Sequence, residues 1–377
     1  MRVLLLTDSD AFAGTEQHML ALSVGLTREG HAVYVGSPGG SLLAERCAAS
    51  RIETIAIEKI GIVDLIAVAK CVYHIHRNSI DVLHVHNSRT ALIASIVKLF
   101  VREIRVVFTQ HFIAPMHASR HGMLRILSDG VHRFIAGGLD QIICVSESTK
   151  TALLKRGGAY SGCKSTVVYN GIDVTGWKPT PTDVINDLKS ELNIPPDASI
   201  VFIASRLEPE KAVGIGITAL VDLLANGMKL VLLVAGNGSQ INDLQQLAKK
   251  LGIENSVRLL GFRSDIPVLM AAADVFLFTS PVDSFGMSLL EAMVCGTPVV
   301  AANAGGPAEI VLDGKTGFLF NKDDIADLRQ KVIDCLSCPT LEQVSKAARN
   351  SVEINFSVES MALKTIENNE TLLSRAR

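Results

Sequence analysis

The residues best placed to do chemistry lie in Ser280-Pro-Val-Asp-Ser-Phe-Gly-Met-Ser-Leu-Leu-Glu291, which runs on into Ala-Met-Val-Cys-Gly-Thr-Pro298. Asp283 and Glu291 stand eight residues apart across a Phe285-Gly286 turn that opens an apolar helix. The free amides in the first turn of such a helix, with Met287 at its start, form an anion site. Asp283 before the turn, with Ser284 beside it, and Glu291 inside the helix can line one polar pocket. A diphosphate on the amides with hydroxyls on the two carboxylates is the ligand this spacing suits, as in a nucleotide sugar. The same letters fit a capping box, Ser288-Leu-Leu-Glu291, in which Glu291 satisfies a backbone donor. The sequence leaves both readings open.

A second cluster of charge follows an apolar run at Ile200–Ser205, in Arg206-Leu-Glu-Pro-Glu-Lys211. At the end of a parallel strand, Arg206 could fork two phosphate oxygens and Lys211 add a point charge. The alternative is that Glu208 and Glu210 pair with these cations at the surface. Ala235-Gly-Asn-Gly238 follows another run, where Gly236 and Asn237 would let backbone approach a nucleotide. It is not a G-x-G-x-x-G fingerprint, which counts against a nicotinamide enzyme. In Gly305-Gly-Pro-Ala-Glu309, Glu309 either touches a donor sugar or complements a helix dipole.

In the first half, Phe12-Ala-Gly-Thr-Glu-Gln-His18 puts Gly14 and Thr15 at a helix start after the opening strand. Asp8-Ser-Asp10 resembles a metal-binding D-x-D pair, but nothing nearby adds ligands, so a turn is the better reading. His84-Val-His86 puts two rings on one strand face and His111 ends another strand. No carboxylate or cysteine completes a metal set there, so site-lining histidines are expected and no metal is assigned. Two basic amphipathic stretches stand out: Thr90–Arg105, with Leu92, Ile96, Leu99 and Phe100, and His117–Phe134, with Arg120, Arg125, His132 and Arg133. They fit docking on an anionic membrane surface or holding a charged acceptor. A core helix with a solvated face fits them equally.

The elements that must position these groups are short aliphatic runs alternating with helical patterns. Val3–Thr7, Ala32–Ser37, Val82–His86, Arg105–Gln110, Gln141–Ser146 and Val167–Asn170 read as buried parallel strands. Thr15–Glu29 reads as a helix closed by Gly30. After a linker at Trp177-Lys-Pro-Thr-Pro181 a second series follows: Ile200–Ser205, Lys229–Ala235, Val257–Gly261, Val275–Thr279, Pro298–Ala302 and Gly317–Phe320. Helices are expected at Val213–Ala225, Gln240–Leu251, Asp265–Ala272 and Met287–Cys295. The fold class is α/β: two Rossmann-like, doubly wound domains facing across a cleft. The expected division is 1–175, with a C-terminal helix at about 356–377 packing back, and 176–355.

Bulk properties agree. A chain of 377 residues is too long for one growing core. Its 48% apolar and 5% aromatic content fits aliphatic strands and helices. Residues 1–177 hold 18 Lys+Arg against 14 Asp+Glu, and residues 178–377 hold 18 against 24. A basic, histidine-rich half suits an acidic or membrane-bound partner, whereas the acidic half argues against nucleic acid. No run fits a signal peptide or approaches the ~20 apolar residues of a membrane span. The seven cysteines read as scattered, without C-x-x-C pairing, and as the reduced core thiols of a cytoplasmic protein.

Taken together, Gly14-Thr-Glu16, Thr109-Gln-His111, Val145-Ser-Glu147, Asn170-Gly-Ile-Asp173, Arg206 with Lys211, Ala235-Gly-Asn-Gly238, Asp283-Ser-Phe-Gly with Glu291-Ala-Met, and Gly305-Gly-Pro-Ala-Glu309 resemble the retaining glycosyltransferases of family 4, which have the GT-B fold. The likeness spans nearly the whole chain. It implies that Arg206 and Lys211 hold the donor diphosphate with Gly14 close by, and that Glu291 binds the ribose hydroxyls. Asp283 and the amides after Phe285 would bind the donor sugar, and His111 would sit beside sugar and acceptor. The resemblance implies no divalent metal and no cofactor. It implies same-face attack in which the departing phosphate helps take the acceptor proton. Two residues depart from the family pattern: Asp283 where Glu is usual, and Ser205 where Gly commonly precedes the arginine. The expected activity is transfer of a sugar from a nucleoside-diphosphate donor, UDP-sugar before GDP-mannose, to a glycan or lipid-linked acceptor in bacterial polysaccharide or lipopolysaccharide assembly. The protein would be cytoplasmic, with peripheral contact at the inner face of the membrane. The alternatives are another nucleotide-sugar enzyme such as an epimerase, or a catalytically weak binding protein of the same fold.

Overall fold

The computed structural model describes residues 1–58, 64–112, 123–155, 158–160, 162–177 and 180–375. The chain forms two compact units, Met1–Gly171 with Phe356–Arg377, and Ile172–Asn355.

The first unit holds strands β1 (Arg2–Leu6), β2 (Ala32–Ser37), β3 (Glu53–Ala56), β4 (Val82–Val85), β5 (Arg105–Gln110), β6 (Gln141–Cys144) and β7 (Ser165–Val167). Between them run helices α1 (Gly14–Arg28), α2 (Leu42–Ala49), α3 (Leu65–Asn78), α4 (Ser88–Phe100), α5 (Met123–Gly138) and α6 (Glu147–Lys155). The sheet is parallel, in the order β3-β2-β1-β4-β5-β6-β7. Both faces of β1 are covered: Val3 and Leu5 pack with Met19, Leu22 and Leu26 of α1, while Leu4 and Leu6 join the core on the other face. A strand buried on both sides must be apolar at every position, which is why these strands read as continuous runs.

In the second unit, α7 (Thr182–Glu191) precedes β8 (Ser199–Ala204), α8 (Val213–Ala225), β9 (Leu230–Ala235), α9 (Ile241–Lys250), β10 (Val257–Gly261), α10 (Ile266–Ala272) and β11 (Val275–Phe278). Then come α11 (Met287–Cys295), β12 (Val299–Ala302), α12 (Pro307–Ile310), β13 (Phe318–Phe320), α13 (Ile325–Leu336) and α14 (Leu341–Asn355). Its parallel sheet runs β10-β9-β8-β11-β12-β13. In each sheet the order reverses once, at β1/β4 and at β8/β11. These are the switch points where such folds bind ligands.

The last helix, α15 (Val358–Ser374), packs on α1 in the first unit. Gly25 admits it: a Cβ there would lie 2.8 Å from Ala362 Cβ and 2.9 Å from Val358 Cγ1. Several elements lay outside the sequence reading, among them β3, α2, α3 and α6. Expected Val167–Asn170 is shifted to Ser165–Val167, because Asn170 leaves the ladder to bond a histidine of α1. The cysteines also need correction. Cys335 and Cys338 stand in a C-x-x-C spacing at the end of α13. Cys335 is buried, and burial pushes its thiol up to about 12.

Of the amphipathic stretches, Leu92 and Ile96 of α4 pack against the core, while Leu99 and Phe100 are exposed at its end. Thr90–Arg105 is therefore largely a core helix that runs on into β5. His117, Arg120 and the Arg125 side chain lie outside the described residues, as do Lys178 and Pro179 of the linker. No helix among the described residues is long and apolar enough to cross a membrane.

Candidate active site

In the second unit, Arg206, Lys211, Gly236, Asn237, Asp283–Met287 and Gly305–Glu309 all follow the carboxyl ends of strands, at one edge of the sheet. The turn Pro209–Lys211 is tied down by residues the sequence reading passed over. Thr279 Oγ1 donates to the Lys211 carbonyl at 2.7 Å, and Ser280 Oγ donates to the Glu210 carbonyl at 3.0 Å. So held, Lys211 Nζ donates to Asp283 Oδ2 at 2.6 Å, both side chains being largely buried. Asp283 Oδ1 accepts from the Phe285 amide at 3.1 Å. Asp283 was expected to meet donor-sugar hydroxyls. In this structure both of its oxygens are engaged by the protein's own donors, and they order the loop.

Arg206 behaves differently. Its side chain is 69% exposed, and the guanidinium pairs with Glu210, four residues on, at 3.0 Å. The surface-pair alternative weighed for these cations therefore holds for Arg206 as the structure stands. It does not hold for Lys211. Glu208 pairs with neither cation; it accepts from the Ser239 amide at 3.1 Å and from Ser239 Oγ at 2.5 Å.

The Phe285-Gly286 turn does open α11. Gly286 is its N-cap at φ 106, a left-handed conformation that a Cβ would strain, and no side chain caps the helix. The capping-box reading is overturned, since the cap is two residues before Ser288 and Glu291 lies too deep in the helix to reach it. The Met287 and Ser288 amides have no backbone acceptor among the described residues, whereas Leu289 and Leu290 both donate to the Gly286 carbonyl. Phe285 is buried and anchors the turn. Gly306 braces it from behind, where a Cβ would lie 2.3 Å from Phe285 Cα. Gly236 is required for a similar reason, for at φ 136 its Cβ would fall 1.8 Å from the Ser205 carbonyl oxygen. These glycines therefore serve backbone packing first. Burial pushes the Glu291 carboxyl up to about 7, so it is poised to change charge near neutrality.

The first unit carries Gly14, Thr15 and His111. Gly14 is exposed and starts α1; a Cβ on it would meet nothing. The Glu16 carboxylate accepts from the Ala13 amide at 3.0 Å, placing an acid of its own at this helix start. The Asp8-Ser-Asp10 pair is not a metal cluster, because Asp8 pairs with Arg89 at 2.8 Å. His111 joins a nest of buried imidazoles with His18, His84 and His86. Burial lowers His18 to about 4, against its bond to Asn170. Burial, with His18 nearby, lowers His84 to about 3 and takes His86 and His111 well below the usual range. His18 was missed in the sequence. Its signal was its place early in the helix that follows β1, one turn beyond Gly14.

The family model for Glycosyl transferases group 1 matches residues 184–351, and that for Glycosyltransferase Family 4 matches residues 12–175. Over 230 residues the chain is 31% identical to D-inositol 3-phosphate glycosyltransferase 2 of Catenulispora acidiphila, covering 58% of this chain but only 52%, about half, of that relative. It is 28% identical to N-acetyl-alpha-D-glucosaminyl L-malate synthase of Bacillus anthracis, covering 78% of this chain and 75% of the relative. It is 25% identical to the Escherichia coli UDP-Gal:alpha-D-GlcNAc-diphosphoundecaprenol alpha-1,3-galactosyltransferase, covering 74% and 72%. Among solved structures, Anabaena HepE in complex with UDP superposes with a TM-score of 0.83 at 26% identity, covering 98% of this chain and 100% of that one. A glycosyltransferase from Rickettsia africae gives a TM-score of 0.83 at 20% identity, over 99% and 98%.

Proposed function

From the premise that the chain belongs to the family 4, group 1 glycosyltransferases of GT-B type, we propose that it moves a sugar from a nucleoside-diphosphate donor to a glycan or lipid-linked acceptor with retention of configuration. One observation carries this reading: an uncapped helix start, Met287 and Ser288, opens beside a lysine fixed by Thr279, Ser280 and Asp283 at the switch point of a parallel sheet. Fixed donors of this kind suit a diphosphate leaving group, whose growing charge needs no reorganisation of the site. In this reading Lys211 and the two amides hold the diphosphate, Arg206 leaves Glu210 to join them, and Gly236 and Asn237 border the nucleotide. Glu291 accepts from the ribose hydroxyls. Asp283, with Ser284, Phe285 and Gly286, shapes the sugar subsite and holds Lys211 in register. Gly14, Thr15 and His111 are assigned to the donor and the reacting sugar.

UDP-sugar is the favoured donor, with GDP-mannose second. HepE, at 26% identity, was solved with UDP and also with UDP-glucose. One relative's name specifies a UDP-galactose donor and a diphosphoundecaprenol acceptor. Polysaccharide or lipopolysaccharide assembly on the cytoplasmic side, with peripheral membrane contact, belongs to the same proposal. Exposed Leu99 and Phe100 on α4 and Val131 and Phe134 on the adjacent α5 support it. The test is a transfer assay with labelled UDP- and GDP-sugars against lipid-linked and oligosaccharide acceptors, with anomeric analysis of the product. Acceptor-dependent release of nucleoside diphosphate with an α-linked product is expected. Sugar interconversion without an acceptor would instead mark an epimerase.

A further inference from the structure

At the edge of the first sheet, β7 is only half-buried along its length, although a parallel strand is ordinarily covered on both faces. Beside it runs α15. Between the two lies a groove of about 700 Å3, within the roughly 300–1,000 Å3 of small-molecule sites. Val168 shares a core with Met361, Ala362 and Ile366 of α15. By alternation, Thr166 and Lys164 stand on the same side of the extended chain. From the helix, Lys364, Glu367, Thr371 and Arg375 follow at spacings of three and four and share one polar face. Lys364 Nζ lies 5.6 Å from the centre of the Tyr169 ring. From Lys364 to Arg375 the helix rises about 16 Å. From Tyr169 back to Lys164 the extended chain also spans about 16 Å, so Arg375 comes level with Lys164 in the groove they both line. The Lys164 carbonyl accepts from the Ile142 amide at 2.8 Å, which sets Lys164 beside Gln141.

Lys164, Lys364, Arg375 and Glu367 are the charged residues of the groove, and none of them makes an ion pair among the described residues. Lys364 and Glu367 stand one turn apart and offset each other in charge. Lys164 and Arg375 remain as the surplus at the other end. Beside them Gln141 is only 8% exposed, and its carboxamide has no hydrogen-bond partner among the described residues. A buried amide left unpaired is costly, so a ligand that satisfies it gains affinity. We propose that this groove binds a phosphate monoester with a small, hydroxyl-rich body, of the sugar-phosphate class. Such a group carries close to two negative charges at neutral pH, which matches Lys164 and Arg375. Arg375 can fork two of its oxygens, with Lys164 as a point charge and Gln141 as a neutral donor. Along the groove, the Thr166 and Thr371 hydroxyls suit a polyhydroxyl body better than an acyl chain. The site is independent of the transferase reading, since it lies within the first unit and uses none of the residues assigned to the donor or the reacting sugar.

The test is a calorimetric titration of the full chain, with UDP in excess to fill the proposed donor site. Glucose 6-phosphate and mannose 6-phosphate are the probes; glucose and inorganic phosphate are the controls. One sugar phosphate per chain is expected, with inorganic phosphate bound at least tenfold more weakly and glucose not at all. Lys164→Met and Arg375→Met should each lower the affinity tenfold or more, because each removes a charge-assisted contact. Gln141→Leu should lower it severalfold while leaving the Tm no lower, since the amide has no partner to lose. Lys346→Met, on α14, should bind as wild type does. No saturable binding of either ester at millimolar concentration would overturn the proposal. So would affinity unchanged in both Lys164→Met and Arg375→Met, or inorganic phosphate bound as tightly as the esters. Capture by phosphatidic-acid vesicles that needs Lys164 and Arg375, without binding of the soluble esters, would assign the groove to a lipid headgroup and overturn it too.

Discussion

Lys211 Nζ lies 2.6 Å from Asp283 Oδ2, joining the turn after β8 to the loop after β11 across the switch point of the second sheet. The pair is largely buried, and each partner has further anchors: Thr279 fixes the backbone of Lys211, and the Phe285 amide fixes Asp283 Oδ1. A lysine so held is a preorganised charge, and the carboxylate that holds it also shapes the anion-binding helix start.

Breaking this pair is expected to cost turnover before it costs the fold. Lys211→Met and Asp283→Asn should each lower the transfer rate tenfold or more, about 1.4 kcal/mol of barrier, with a loss of stability of about 1–3 kcal/mol. Initial rates and denaturant midpoints measured on the same preparations check this. Near-normal rates in both variants would remove the pair from the reaction.

Arg206→Ala separates ligand duty from surface pairing. An exposed pair such as Arg206–Glu210 contributes about 0–1 kcal/mol, so the Tm should stay within a degree or two of wild type. Turnover should still fall about tenfold, because the proposal has Arg206 turn to phosphate on donor binding. A normal rate would leave Arg206 as a solvated surface residue.

Gly14→Ala and Gly306→Ala should have opposite signatures. A Cβ at Gly14 meets nothing, so the fold should hold, and any rise in donor KM reports a ligand at that helix start. At Gly306 the new Cβ would lie 2.3 Å from Phe285 Cα, so the Asp283–Phe285 loop must shift. Stability is expected to drop by about 1–3 kcal/mol, with donor binding lost in parallel. Thermal melts and donor KM values from the two variants decide the matter.

Glu291 gives a pH dependence of definite sign. Burial raises its carboxyl from 4.5 to about 7, so the native state holds this proton in a range where the unfolded chain has lost it. The stability it contributes is full below pH 4.5, declines as pH rises toward about 7, and is absent above that. Glu291→Gln should flatten that segment of the curve, by an amount on the order of 1–3 kcal/mol. Nucleotide affinity should run the other way, rising through pH 7 as the carboxylate that accepts from ribose forms. A wild-type affinity flat from pH 6 to 8 would contradict the ribose assignment.

What was legible in the sequence, and what was not, follows from the range of the interactions. Strands such as β1, β5 and β9 were readable because burial on both faces demands an unbroken apolar run. The helix start at Met287 was readable because its signals are local. The short β3, at the sheet edge and only partly buried, left no such run. The partners of the charged residues were not readable, because they are fixed in three dimensions. Arg206 and Lys211, five residues apart in sequence, have opposite fates, since only Lys211 is pinned by Thr279 toward Asp283. His18 and Asn170 are 152 residues apart, and only the return of the chain to β7 brings them together.

The most direct test is a calorimetric titration of UDP, with GDP in parallel, into wild type and Lys211→Met. One nucleotide per chain is expected, bound at least tenfold more weakly by the variant, a difference of about 1.4 kcal/mol. Equal affinity in the two proteins would place the diphosphate away from Lys211 and the start of α11, contradicting the central assignment.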